Sequence, residues 1–343
     1  MKIGLVGYQG GGKSTVFELL TSVTPDLAKT HTGQVGVATV PDERFDKLVE
    51  LFIPKKVSPA RIELFDTPGL SGKQHEGNAQ RLGVIREADA LVHVIGCFAG
   101  SDPPSEATAF QDDLILADLQ VVSNRIERLK KDIVKPRPDR DELSAELDAL
   151  VPIETTLSEG KSLFGFELSE LQKAACNSFS LLTRKPRLIV LNTADSDYDS
   201  GPLEALRAEG LRVIAAPFGL ELEVQSLPPD DRAEFAAEMG LAEPCRERLL
   251  RGIFEVTDQI TFYTCDEKEV HAWLLRQGKT ALDAAGTIHT DLARGFIRAE
   301  IMSVEDLLRL GSEREVKAAS LHHLEGKEYV MQDGDEIVVR FSV

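Results

Sequence analysis

Residues 2–20 read KIGLVGYQGGGKSTVFELL, and the fold is decided here. Lys2–Val6 is a short aliphatic run suited to a buried strand, and Ser14–Leu20 carries apolar residues at helical spacing. Between them, Gly7-Tyr8-Gln9-Gly10-Gly11-Gly12-Lys13-Ser14 matches G-x-x-x-x-G-K-[ST] in full. A strand, a glycine loop and a helix in that order form a phosphate cradle. Backbone N–H groups of Gly10, Gly11, Gly12, Lys13, Ser14 and Thr15 are expected to face the anion at the positive end of a helix. Lys13 is expected to reach the β- and γ-phosphates and supply catalytic charge, and the Ser14 hydroxyl to ligate Mg²⁺.

Further short apolar runs follow at Ile62–Phe65, Ala90–Ile95, Leu188–Leu191 and Leu211–Ala215. Alternating with helical patterns, they predict an α/β domain with a mostly parallel sheet. Asp66-Thr67-Pro68-Gly69 ends the second run in a D-x-x-G pattern. It offers Asp66 to Mg²⁺ and the Gly69 N–H to the γ-phosphate. Leu70 stands where many GTPases place a water-orienting glutamine. Asn192-Thr193-Ala194-Asp195 follows a later strand, where GTPases carry N-K-x-D. Thr193 replaces the lysine, and Asn192 can serve either purine because an amide both donates and accepts.

The strand series is interrupted between residues 112 and 183. Ile115, Leu119, Val122, Ile126 and Leu129 follow a 4-3-4-3 spacing, a coiled-coil seam. Pro136 and Pro138 break it, Leu143, Leu147 and Leu150 restart it, and Leu168, Leu171, Ala175, Phe179 and Leu182 predict a returning helix. From Asp258 the pattern becomes α+β, with strands at Ile260–Thr264 and Glu336–Val343 and helices at Leu282–Ala285 and Val304–Leu310.

The chain has 343 residues and a formal charge of −18, which argues against non-specific coating of nucleic acid. Residues 125–140 nevertheless hold seven basic and three acidic side chains, a local net of +4. No run approaches the ~20 apolar residues of a membrane span. The glycines after Val6 exclude a signal peptide, so the protein is expected to be cytoplasmic. Cys97, Cys176, Cys245 and Cys265 are scattered and read as buried apolar residues rather than zinc ligands or disulfides.

Taken with Val40–Leu48 (VPDERFDKL), Leu114–Gln120 (LILADLQ) and Ala284–Glu300 (AAGTIHTDLARGFIRAE), these motifs resemble the Obg-like ATPase family, the YchF group, over essentially the whole length. The resemblance implies a P-loop G domain in residues 1–113 and 184–257, an inserted α-helical coiled-coil hairpin in 114–183, and a β-grasp, TGS-like domain in 258–343. It implies ATP favoured over GTP, slow hydrolysis with Mg²⁺, and association of the hairpin and TGS-like domain with ribosomes or other RNA; a monomer is expected. By position Thr30 would ligate Mg²⁺, with Thr32 as the alternative, and Thr193 would offer its backbone to adenine.

Three departures stand out. Asp195 replaces the family's usual glutamate, Pro68 replaces its usual alanine, and the short loop after Cys97-Phe98 has no histidine where family members place a catalytic one. Asp102 and Glu106 are the acid–base groups left there. His75, and less directly His31, are candidates to substitute. A second reading is therefore a nucleotide-controlled binding module with negligible turnover, and Asp195 keeps a true GTPase open. A small-molecule kinase is disfavoured by the TGS-like tail.

Overall fold

The computed structural model describes residues 1–343 except 27–31, 72–77, 99, 196–197, 242–243 and 343. Thr30, His31 and His75 lie outside the described residues. The chain divides into two units, one of Lys2–Gly36 and Glu63–Leu249, the other of Val37–Ile62 and Leu250–Val343. The stretch from 37 to 62 thus groups with the C-terminal residues rather than with the phosphate loop.

In chain order the first elements are β1 (Lys2–Val6), α1 (Lys13–Thr21), β2 (Gln34–Thr39), α2 (Glu43–Phe52), β3 (Lys56–Ser58) and β4 (Arg61–Asp66). Then come α3 (Asn78–Ile85), β5 (Ala90–Cys97), α4 (Pro103–Ile133), α5 (Arg140–Ser158), α6 (Glu170–Cys176), β6 (Arg187–Thr193) and α7 (Gly201–Ala208). β7 (Val213–Ala216), α8 (Phe218–Ser226), α9 (Pro229–Glu238) and α10 (Cys245–Thr257) complete this series.

One six-stranded sheet has the order β2-β4-β1-β5-β6-β7. β1 lies parallel between β4 and β5, and β6 and β7 extend the parallel run. Ile3, Leu5 and Val6, with Leu91, Val92, Val94 and Ile95, are all essentially inaccessible. Strands buried on both faces need such continuous apolar runs, which is why they were readable without alternation. The loops after β1, β4 and β6 all leave the C-terminal ends of parallel strands, where ligands of open α/β sheets bind.

The helical insertion begins at Pro103, earlier than expected, because Asp102 accepts from the Ser105 N–H at 3.3 Å and two prolines occupy the first helical turn. Ile115, Val122, Ile126 and Leu129 of α4 pack with Leu150, Ile153 and Leu157 of α5. The prolines separate the two helices as expected. The returning helix is only α6: a Ser169–Gln172 capping box starts it, it stops at Cys176, and Leu171 is exposed. Asp118, fully buried on α4, fastens the insertion to the sheet unit. It accepts from Arg86 Nη1 at 2.7 Å, from the Leu182 and Thr183 N–H groups at 3.0 and 2.8 Å, and from Thr183 Oγ1 at 2.8 Å.

The second unit contains β8 (Gln259–Cys265), β9 (Glu269–Arg276), α11 (Ala281–Ile288), α12 (Thr290–Arg294) and β10 (Phe296–Ser303). α13 (Val304–Leu310), α14 (Glu313–Ala318), β11 (His323–Glu325) and β12 (Asp335–Phe341) follow. Its sheet has the order β11-β10-β12-β8-β9-β3, with β3 supplied by the early segment through Lys56↔Glu269 and Val57↔Val270. One core joins Phe45 and Leu48 of α2 to Tyr263, Val270, Met302 and Leu307. Another packs Ala281, Ala284 and Ala285 of α11 against Phe262, Ala299 and Ile337. Two strands were expected here, and the structure adds β9, β10 and β11.

Candidate nucleotide-binding site

The phosphate loop is held in shape before any ligand arrives. Gly12 has φ 93°, and a Cβ there would collide with Asn192 Nδ2, so only glycine fits. That same amide donates to the Gly11 carbonyl at 3.3 Å, anchoring the loop to the end of β6. Lys13 is 7% exposed, and its ammonium donates to the Tyr8 carbonyl at 2.7 Å and the Gly7 carbonyl at 3.4 Å. Burial lowers its pKa, while the Asp66 and Glu106 carboxylates oppose that shift.

The D-x-x-G segment is tied directly to the loop. Leu70 N donates to Gly7 O at 3.1 Å, Gln9 N donates to Leu70 O at 3.2 Å, and the Thr67 hydroxyl donates to Leu5 O at 2.6 Å. Leu70 is inaccessible, packed with Val6, Leu82, Ile85 and Phe110. Its position is therefore part of the core, which gives a packing reason for leucine in place of a polar side chain.

Ser14 Oγ donates to Asp66 Oδ2 at 3.0 Å, and Gln34 Nε2 approaches the same oxygen at 3.5 Å. Burial pushes the Asp66 carboxyl above the usual carboxylate range, partly offset by those hydrogen bonds and by Lys13. A hydroxyl beside a partly buried carboxylate is a hard-oxygen donor set that fits Mg²⁺, which takes one or two protein oxygens and fills its remaining positions with phosphate and water.

These groups line an open cleft of about 550 Å³. Of the residues singled out in the sequence, Gly10, Gly12, Lys13, Ser14, Thr15, Asp66 and Gly69 line this cleft. Gly11 is buried behind it. Asn192 is 5% exposed and serves the loop, Thr193 Oγ1 donates to the Asp195 carbonyl at 2.9 Å, and Asp195 is exposed. None of these three base-motif residues lines the cleft.

Sequence reasoning missed Gln34 and Arg81. Arg81 lines the cleft from α3 and donates through Nη1 to the Gly69 carbonyl at 3.0 Å. No local pattern marks it, since it is a single basic residue in an otherwise ordinary helical segment. Tyr8 was also overlooked: it donates to Asp113 Oδ2 at 2.9 Å and meets Phe110 edge-on.

The basic stretch of the hairpin is less free than its composition suggested. Arg125 is paired with Glu146 at 2.6 Å, Lys135 with Asp132 at 2.9 Å and Arg137 with Asp139 at 3.0 Å. Arg128, Lys130 and Lys131 are exposed.

The fold and cleft define a P-loop nucleotide-binding protein of the GTPase type. The family model described as "50S ribosome-binding GTPase" matches residues 2–132. The model for the C-terminal part of YchF GTPases, described as "Protein of unknown function (DUF933)", matches residues 259–342. The ribosome-binding ATPase YchF of Haemophilus influenzae is 32% identical, covering 100% of this chain and 99% of the relative. That of Bacillus subtilis is 34% identical over 99% of each. Obg-like ATPase 1 of Oryza sativa subsp. japonica is 33% identical, covering 100% of this chain and 92% of its own. The solved structure of the Schizosaccharomyces pombe YchF GTPase matches with a TM-score of 0.84 at 26% identity, over 99% of this chain and 97% of that one. The chain belongs to the family of YchF and Obg-like ATPases.

Proposed function

We propose that this chain is a Mg²⁺-dependent nucleoside triphosphatase switch that favours ATP over GTP, hydrolyses it slowly and associates with ribosomes. The observation that carries the reading is the cleft in which Lys13, Ser14, Asp66 and Gly69 converge. On triphosphate binding Lys13 exchanges two carbonyl partners for phosphate oxygens, the loop N–H groups take the β-phosphate, and the Gly69 N–H senses the γ-phosphate. Mg²⁺, held by Ser14 and through water by Asp66, would neutralise charge on the β- and γ-oxygens. Asn192 keeps the loop glycines in their cradle shape throughout.

Slow turnover follows from Leu70. A side chain sealed in the core orients no water, and general acid–base or positioning groups are each worth ~10²–10⁴ in rate. The same observation favours the second reading, a nucleotide-controlled binding module. The preference for ATP rests on Thr193, which cannot stack over guanine as lysine does, and on relatives named as ATPases. Asp195, exposed and able to pair with guanine, is the counterweight.

Equilibrium affinities for ATP and GTP with Mg²⁺, followed by single-turnover hydrolysis, test this directly. We expect ATP to bind at least as well as GTP and to be hydrolysed slowly. A GTP preference abolished by Asp195→Ala makes the protein a GTPase, and absent turnover with ribosomes present leaves the binding module. Ribosome association is read separately. Reversing Arg128, Lys130 and Lys131 to glutamate should reduce co-sedimentation and leave nucleotide affinity unchanged.

A further inference from the structure

Arg81 occupies a place that the phosphate loop and the D-x-x-G motif do not account for. Its helix, α3, is fixed at both ends. Asn78 accepts from Ser71 N at 3.1 Å and donates to Ser71 O at 3.2 Å, while Leu82 and Ile85 are buried in the same core as Leu70. Arg81 therefore stands on a rigid base, half-buried at the wall of the cleft. Its guanidinium uses one donor on the Gly69 carbonyl and forms no ion pair with a carboxylate among the described residues. Lys13 also approaches Gly69: its Nζ lies 2.8 Å from where a Cβ on that glycine would be. Two cations thus approach Gly69, the residue whose N–H is proposed to sense the terminal phosphate. Lys13 is already absorbed by the phosphate-loop motif. Arg81 is a second positive charge with four donors to spare, in a planar fork that matches phosphate oxygens.

We propose that Arg81 is a catalytic residue supplied in cis, which moves from the Gly69 carbonyl to the terminal phosphate of the bound triphosphate and stabilises the charge that develops there during hydrolysis. The inference rests on the triphosphatase reading and deepens it. In the step, a water oxygen bonds to the γ-phosphorus as the bond from that phosphorus to the β–γ bridging oxygen breaks. The nucleoside diphosphate leaves with the electron pair, and the water's protons pass to phosphate oxygens and solvent. Arg81 exchanges no proton. It offers fixed N–H donors to equatorial oxygens whose charge grows in the transition state. The Gly69 carbonyl provides its resting partner, so the guanidinium is held near the phosphate before binding.

Arg81→Ala, Arg81→Gln and Arg81→Lys distinguish this from a merely structural prop. Affinities for MgADP and for a non-hydrolysable triphosphate, and trapping of MgADP with aluminium fluoride, are measured beside single-turnover hydrolysis. We expect MgADP affinity within about twofold of wild type and triphosphate affinity ~10-fold weaker in the alanine and glutamine variants. They should fail to trap the fluoride complex, and hydrolysis should fall by ~10³. Lysine should restore part of each loss. Equal weakening of ADP and triphosphate would assign Arg81 to propping Gly69 and overturn the proposal, as would unchanged trapping and hydrolysis. If the wild-type protein binds no triphosphate, the triphosphatase reading itself fails before the variants are compared.

Discussion

At the scale of single residues, the site is organised around charges and carbonyls held ready for a ligand. Lys13 is the clearest case: a nearly inaccessible ammonium whose two hydrogen-bond partners are loop carbonyls. Such a group costs the unliganded protein desolvation that the carbonyls and the nearby Asp66 and Glu106 carboxylates offset only in part. Lys13→Ala should therefore lower triphosphate affinity by at least ~10²-fold, the loss of a buried charge-assisted contact, while the unliganded protein melts no lower than wild type. Unaltered binding in titration calorimetry would refute the phosphate assignment. Lys13, Ser14, Asp66 and Gly69 could be read from the sequence because each sits in a contiguous motif whose spacing the chemistry dictates. Arg81 and Gln34 could not, because their approach to the cleft depends on where α3 and β2 are carried by the fold.

Elements were readable where one physical signal dominated. β1, β5 and β6 announced themselves as short, mostly aliphatic runs, β5 in spite of His93 at its centre, and α4 as a heptad seam. β9 and β10 were missed because charged, aromatic and small residues mix along them, and strand pairing rather than hydrophobic pattern decides their state. Leu171 was assigned to a buried face, yet it is exposed on α6, which ends at Cys176, short of Phe179 and Leu182. Nor did any pattern expose Asp118, whose acceptors gather donors from Arg86, just past α3, and from the chain leading into β6. It converts the hairpin from an appended pair of helices into one fastened at its base. Asp118→Ala removes the carboxylate partner of Arg86, which keeps only carbonyl acceptors, and leaves two backbone N–H groups without theirs, a loss of about 3–5 kcal/mol. Urea unfolding should show that destabilisation, and a midpoint equal to wild type would remove the fastening role. Arg86 is partly accessible, so the lower end of the range is expected.

At the scale of the whole molecule, acidity shapes stability as well as solubility. Glu336 lies wholly inside the C-terminal unit, and burial, reinforced by Glu313, raises its pKa to about 8. Below about pH 4.5, its usual value, folded and unfolded chains both carry the proton. Between about pH 4.5 and 8 the folded form keeps it and the unfolded form releases it, so this residue's contribution declines by about 1.4 kcal/mol per pH unit. Glu336→Gln should remove that slope, raising the melting temperature at pH 8 and changing little at pH 4.5. Parallel melting curves for both proteins across that range would contradict it. The early segment that carries α2 and β3 has a consequence of another kind. Phe45 and Leu48 emerge during synthesis some two hundred residues before Tyr263 and Val270, the partners that bury them. At ordinary translation speeds of about 5–20 residues per second, that interval is roughly 10–40 s. Throughout it, the nascent chain carries an amphipathic helix with no core to enter, interrupting a nucleotide unit that is otherwise able to form. Birth of this protein thus includes an interval in which the apolar face of α2 lacks its native partners, and removing the C-terminal strands would make that exposure permanent.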